Sequence, residues 1–239
     1  MRRLGRAAGL VLAGAGVLTL IWAVVVWQWQ DPFTGLYTTW QQHRLAGQLE
    51  REFNEYAGPR RAVALDSTRG EARTVGLAAA RLRRTAGVGQ PIGRIVIPRL
   101  GLNMIVVNGT DEGSLRRGPG RDLRTYMPGQ NRLVYIAGHR TTYLAPFSHI
   151  EDIRPGDPIT LEMPYATFTY RAARHVIVRA DDLAVLRSPR HELLALQACH
   201  PRFFATHRYI VYARLKTVKL RDGASLSAHT LAAAATPVG

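Results

Sequence analysis

Residues 193–201 read Leu193-Leu194-Ala195-Leu196-Gln197-Ala198-Cys199-His200-Pro201, and a new strand-like run begins near Arg208. The stretch up to Ala198 is short and apolar, the texture of a buried strand. Pro201 cannot donate to a ladder, so pairing must break there. Cys199 therefore stands at a strand end, where a side chain can be presented to a cleft. If this run and its successor pair antiparallel, Arg208 returns beside Cys199. A guanidinium in that place could stabilise a developing oxyanion through its fixed fork of donors.

Working outward, a second strand end has the same character. Leu133-Val134-Tyr135-Ile136-Ala137 is an apolar run, and Gly138-His139 closes it. The loop that follows, from Arg140 to Phe147, could wall one side of a site. Of the eight histidines, His139 is the one with this context, which makes it the candidate proton donor. His200 and His207 flank Cys199 and could compete for that role, while His43, His149, His175, His191 and His229 carry no partner argument.

These strand ends belong to a longer β-rich texture that starts at Ile92. Strands are predicted over 93–97, 103–108, 132–138, 158–163, 166–179 (two strands or one bent one), 193–199 and 207–216. Asn108-Gly109, Pro119-Gly120, Pro128-Gly129 and Pro155-Gly156 supply turns. Many short strands at this spacing predict a sandwich or a closed barrel and argue against an alternating α/β sheet. Closure would also remove exposed sheet edges.

The amino-terminal third has a different composition. Arg2, Arg3 and Arg6 precede an uncharged run from Ala7 to Trp29. As a helix, 23 residues cover roughly 34 Å, enough for a hydrocarbon core of about 30 Å. Trp22, Trp27 and Trp29 gather at the far end, and the arginines favour a cytoplasmic start. The run is longer than the apolar core of a cleaved leader, so an uncleaved single-pass membrane anchor over 1–30 is expected, with the rest extracytoplasmic. Asp31-Pro32 should stop that helix. Residues 31–89 are expected to form a helical or flexible spacer: helical character over 38–56, then an Arg-, Ala- and Gly-rich stretch with at most one short helix near 76–84. The catalytic unit is assigned to 90–221, and the small, polar tail 222–239 is expected to be disordered.

Charge excludes less than it suggests. The net charge is +15, but of 32 basic residues only Lys216 and Lys219 are lysines, and no compact basic stripe carries interleaved aromatics. A nucleic-acid partner is therefore not expected, and an anionic envelope surface fits the charge equally well. The single cysteine, Cys199, rules out an intramolecular disulfide and a cysteine zinc cluster. No metal or other cofactor is called for. In an exported protein a lone thiol asks for a chemical role.

Residues 138–147, Gly-His-Arg-Thr-Thr-Tyr-Leu-Ala-Pro-Phe, together with Leu196-Gln197-Ala198-Cys199-His200-Pro201 and Arg208, closely resemble the sortase family of cysteine transpeptidases. The resemblance covers about residues 90–220. It takes in Gly93 to Leu102, Gly118-Pro119-Gly120, Met127-Pro128-Gly129-Gln130 and Gly156-Asp157, in order. It implies an eight-stranded β-barrel with short helices in its connections. It implies that Cys199 attacks the Thr–Gly bond of a C-terminal sorting signal, that His139 protonates the leaving amine, and that Arg208 stabilises the oxyanion. A thioacyl-enzyme would then pass the surface protein to an amine of a lipid-linked peptidoglycan precursor, or to a pilin lysine. Gly-His-Arg-Thr-Thr-Tyr and Cys-His-Pro-Arg-Phe look most like the class E members of high-GC Gram-positive bacteria, associated with Leu-Ala-x-Thr-Gly signals where others use Leu-Pro-x-Thr-Gly. Tyr143, Thr141, Thr142, Ala198 and His200 are the expected substrate-binding residues, Tyr143 near the second signal position. One departure stands out: the family's usual Thr-Leu-x-Thr-Cys has Ala195 and Ala198 in place of its two threonines. Other envelope cysteine hydrolases or transpeptidases also use Cys and His, but lack a required arginine on the following strand.

Overall fold

In the computed structural model the strand-rich half of the chain closes on itself. The structure describes residues 2–29, 32–55, 68–221 and 223–234. Nine strands are seen among them: β1 (Pro91–Ile97), β2 (Leu102–Asn108), β3 (Gly120–Arg121), β4 (Leu133–Ala137), β5 (Pro158–Glu162), β6 (Ala166–Arg179), β7 (Leu193–His200), β8 (His207–Leu220) and β9 (Ser225–Ser227). Their order is β6-β5-β1-β2-β3-β4-β7-β8-β9, and an additional β6–β8 pairing joins the ends. The first eight strands thus form a closed barrel, as expected, with β9 appended to the far half of β8. Closure leaves no long edge to template association.

Period-2 alternation explains why these segments are strands. The first half of β6 alternates buried and half-exposed residues, with Ala166, Phe168 and Tyr170 in the core. The predicted segment 166–179 is one 14-residue strand along β8, with irregularities at Thr169/Tyr170 and Ala172/Arg174. Those bulges bend it around the barrel. β3 was not anticipated; two residues leave no periodicity to read.

Five helices accompany the ring: α1 (Arg2–Trp29), α2 (Pro32–Glu55), α3 (Thr68–Thr85), α4 (Glu112–Leu115) and α5 (Ala228–Ala234). α1 contains one span, Gly5–Val24, long and apolar enough to cross a membrane. Pro32 is the first residue of α2, where its missing N–H costs nothing; Asp31 lies outside the described residues.

Two expectations are corrected here. Residues 57–89 are expected to hold at most one short helix near 76–84, but α3 runs 18 residues. Ala72, Val75 and Ala79 are buried in the barrel's main core, and that burial overrides the cost of Gly70 and Gly76. The rest of the Arg- and Gly-rich stretch, 57–67, lies outside the described residues. The tail was predicted to be disordered, yet β9 and α5 fold within it. Leu226 and Leu231 are each 2 % exposed, and α5 packs on α3 and β8. Burying each leucine supplies about 1.5–3 kcal/mol. Residues 235–239 are outside the described set.

α2 also docks. Leu45 and Leu49 cover Ile105 and Val107 on the outer face of β2. A third cluster, Leu133, Tyr135, Ala195, Ile210 and Tyr212, lies outside the barrel under Val185 and Leu186 of the β6–β7 connection. That connection forms a wall beside the strand ends described next.

Candidate active site

β4 and β7 run parallel in register, Ala137 beside Gln197, and the Gly138 N–H donates to the Gln197 carbonyl at 3.0 Å. Their next residues, His139 and Cys199, therefore emerge at the same end of the barrel. β7 and β8 are antiparallel, with Cys199 directly opposite Arg208. Two apolar strands that stop together and a third that starts beside them bring thiol, imidazole and guanidinium to one place. All three line a cleft of about 280 Å³.

Each side chain has a local reason for its position. A Cβ on Gly138 would meet the buried Phe147 ring at 2.6 Å, so only glycine lets His139 follow β4 so closely. The Phe147 N–H donates to the His139 carbonyl at 3.1 Å, folding the loop back over the strand end. Tyr143 packs on the imidazole, with ring centres 5.1 Å apart. His139 Nε2 is buried without a hydrogen-bond partner among the described residues. Burial holds the imidazole's pKa below its ordinary value, and the Arg116 cation adds to this against an opposing contribution from Glu112. Arg208 donates from Nη1 to the carbonyls of Ala205 (2.7 Å) and His207 (2.9 Å). Nε and Nη2 make no hydrogen bond within the described residues and remain available to an incoming carbonyl oxygen. A thiol, an imidazole and a pair of uncommitted N–H donors around one cleft are the kinds of group that acyl transfer uses.

Sequence reasoning overlooked Arg140, treating it only as part of a loop. Its side chain is buried and ion-paired to Glu151 at 2.8 Å. Nη1 donates to the Cys199 carbonyl at 3.1 Å and contacts His200 Nδ1 at 3.0 Å. The residue after His139 thus grips the backbone of the residue that carries the thiol. The signal was its place next to His139. Burial lowers the His200 pKa, with the Arg140 and His207 charges adding to the effect.

The expected substrate-binding residues are placed unevenly. Ala198 is fully buried in the barrel core, because β7 alternates and its neighbours Gln197 and Cys199 take the cleft side. Tyr143 bridges His139 and α2, with Tyr37 at 6.5 Å, and Thr142 accepts the Ala145 N–H at 2.8 Å. Tyr143, Thr141, Thr142 and His200 are not among the cleft-lining residues. Leu183, Val185 and Leu186 instead make an apolar wall, and Asp122 with Arg124 a polar one. Burial opposes ionisation of Asp122, but the Arg124 bonds and charge outweigh it, so its carboxyl titrates below the usual range.

The Sortase domain family matches residues 95–216, about half of the chain and nearly all of the ring. Sortase D of Bacillus subtilis is 32 % identical over 134 residues, 54 % of this chain and 66 % of the relative. Sortase SrtE1 of Streptomyces coelicolor is 27 % identical over 143 residues, 53 % of this chain and 41 % of the relative, so these matches span less than two thirds of either curated protein. The solved structure of sortase E from Streptomyces avermitilis superposes with a TM-score of 0.52 at 30 % identity, covering 59 % of this chain and 98 % of that one. On the barrel, the convergent strand ends and this match, the chain belongs to the sortase family of cysteine transpeptidases.

Proposed function

We propose that this protein is a membrane-anchored sortase that cuts a C-terminal sorting signal between Thr and Gly and joins the protein to an amine. The observation that carries this reading is the convergence of Cys199, His139 and Arg208 on one cleft. In the proposed sequence the Cys199 sulfur attacks the Thr carbonyl carbon as a thiolate, its proton held on the His139 imidazole. Negative charge develops on the carbonyl oxygen, and Arg208 donates to it. The intermediate collapses as the C–N bond breaks, and His139 gives its proton to the leaving glycine amine. The thioacyl-enzyme holds the acyl group until an acceptor amine attacks; His139 then takes the proton from that amine and sulfur leaves. Covalent catalysis divides one difficult displacement into two easier ones.

The wall of Leu183, Val185 and Leu186 suits the leading leucine of a Leu-Ala-x-Thr-Gly or Leu-Pro-x-Thr-Gly signal. The acceptor is an amine of a lipid-linked peptidoglycan precursor, with a pilin lysine as the alternative. The apolar run in α1 supports anchoring in the cell membrane with the barrel outside. Tyr143, packed on His139, bears on the second signal position through the loop it anchors.

The test is to incubate the full chain in detergent micelles with each labelled signal peptide and either a cross-bridge amine or a lysine peptide. Mass spectrometry should find a thioacyl adduct on Cys199 and a ligated product. Absence of both with every peptide and acceptor would defeat the proposal. Competition between the Ala and Pro peptides should change in Tyr143→Ala; an unchanged preference removes Tyr143 from recognition.

A further inference from the structure

A second cavity, of about 610 Å³, lies behind the cleft, where the end of α3 meets β2 and β3. Arg83, Arg84 and Arg121 stand on its walls. Arg121 is unusual: it is 2 % exposed, and its Nε and Nη2 donate to Asn108 Oδ1 at 3.0 and 2.7 Å. Its Nη1 donates to the carbonyls of Asp122 and Thr125 at 3.2 and 2.6 Å. All of these acceptors are uncharged. The neighbouring Asp122 carboxylate is committed to Arg124 on the cleft side, and Arg121 forms no ion pair among the described residues. A guanidinium has five N–H groups, and the second hydrogen of Nη2 finds no described acceptor. The nearby Asp122 charge offsets only part of the desolvation cost of this buried cation.

Arg83 aggravates this. Burial pushes the Arg121 pKa down to about 10, and the Arg83 charge adds to the effect. Arg83 lies 4.3 Å over the Tyr126 ring, and neither Arg83 nor Arg84 pairs with a described carboxylate. Basic residues in a helix's last turn favour its dipole, which accounts for Arg83 and Arg84 but not for a buried arginine on a separate strand. A dianion in the cavity would complete the counter-charge that Asp122 supplies only in part to Arg121 and would give Arg83 and Arg84 an anionic partner. We propose that this cavity is a binding site for a phosphate or diphosphate group, clamped by Arg83, Arg84 and Arg121. Guanidinium forks match phosphate oxygens, and the volume admits more than one phosphoryl group. The group can come from a free anion or from a lipid headgroup.

The test uses the full chain in neutral phosphatidylcholine nanodiscs. Sodium phosphate and sodium diphosphate are titrated calorimetrically at an ionic strength held constant with sodium chloride. The expected result is saturable binding near one equivalent, weakened at least tenfold in the Arg83→Ala/Arg84→Ala double variant. The Arg73→Ala/Arg81→Ala variant removes two exposed charges from the same helix and should bind as the parent does. Arg121→Lys, which keeps the charge and loses the fork, should also bind more weakly while its circular dichroism stays native. Repeating the titration with phosphatidylglycerol present separates the sources. A fall in apparent diphosphate affinity that vanishes in Arg83→Ala/Arg84→Ala assigns the site to headgroups; no change assigns it to the free anion. Lack of saturable binding, or equal loss in both double variants, overturns the proposal, because general attraction to a +15 chain would then suffice. Cys199→Ala should bind unchanged, so the outcome is independent of the transpeptidation reading.

Discussion

The barrel and the helices around it serve the same cleft in different ways. The ring supplies reactive side chains: register alone sets Cys199 opposite Arg208 and brings β4 level with β7. α2 supplies none, but it holds the loops around them. Thr34 Oγ1 accepts the Tyr143 N–H, and Thr38 Oγ1 donates to the Arg116 carbonyl, each at 3.0 Å. The Gln42 amide takes the place of a missing strand residue. It accepts the Ile105 N–H at 2.6 Å and donates to the carbonyls of Ile105 (3.1 Å) and Arg117 (2.7 Å). Reactive groups and their setting are thus encoded in separate elements. Variants should divide accordingly, into those that stop turnover without loosening the fold and those that loosen the fold first.

The largest expected effect lies in the ring. Cys199→Ala should reduce peptide cleavage to background while the melting temperature stays within about a degree, since no hydrogen bond or tight packing is lost. His139→Gln should lower acylation by about 10²–10⁴-fold and Arg208→Lys by about 10²–10³-fold. Near-normal turnover in Arg208→Lys would favour another kind of envelope cysteine enzyme. The largest effect in the helices comes from deleting them. A fragment starting at residue 90 loses the cover of Leu45, Leu49, Val75 and Ala79. At about 1.5–3 kcal/mol for each large apolar side chain, the loss rivals the whole stability of about 5–15 kcal/mol. Calorimetry should show no cooperative melt; a sharp transition near that of the full chain would make the helices mere spacers.

This division explains what could be read from the sequence. The strand ends were legible because apolar runs closed by Gly138-His139 and Cys199-His200-Pro201 carry their own punctuation. α5 and the first two turns of α3, ahead of the short helix expected near 76–84, were not, because their stability comes from partners. Burial of Ala72, Val75 and Ala79 against the barrel carries the helix through Gly70 and Gly76. The Ala-rich tail read as disordered although alanine is the best helix former; two leucines and a neighbouring helix decide it. Gln42 and Arg140 look like surface residues in one dimension, and only the fold reveals the backbone groups they satisfy. Ala198 was expected to bind substrate, but the alternation of β7 turns it into the core.

Two intermediate variants probe the junction between ring and surroundings. Arg140→Met leaves the exposed Glu151 with only its 3.9 Å contact to Arg202 and frees the Cys199 carbonyl. Losing this pair and the bond to the Cys199 carbonyl should cost about 1–2 kcal/mol, a fall of about 2–8 °C in melting temperature. Turnover at a permissive temperature should fall too; a stability loss with unchanged kcat would confine Arg140 to scaffolding. Gln42→Leu orphans the Ile105 backbone groups. It should cost about 2 kcal/mol and about 4–8 °C, with KM rising more than kcat falls. A melting temperature equal to the parent's would mean water replaces the amide at no cost.

The smallest effect tests whether the surroundings tune the proton carrier. Burial and the Arg116 cation hold the His139 pKa down, while Glu112 pulls the other way. In the proposed role of general acid His139 must be protonated, so acylation should decline as pH rises through its pKa. Arg116→Gln removes a depressing charge, raises that pKa and moves the alkaline limb of the single-turnover acylation rate to higher pH. Glu112→Gln removes a supporting charge and moves the limb down by less. The Arg116 backbone still accepts from Thr38, so the loop anchor survives either change. An NMR titration of the His139 imidazole should move in step with the rate profile. If the imidazole titration shifts and the limb does not, the limb belongs to another group, and His200 beside Cys199 becomes the proton carrier to test.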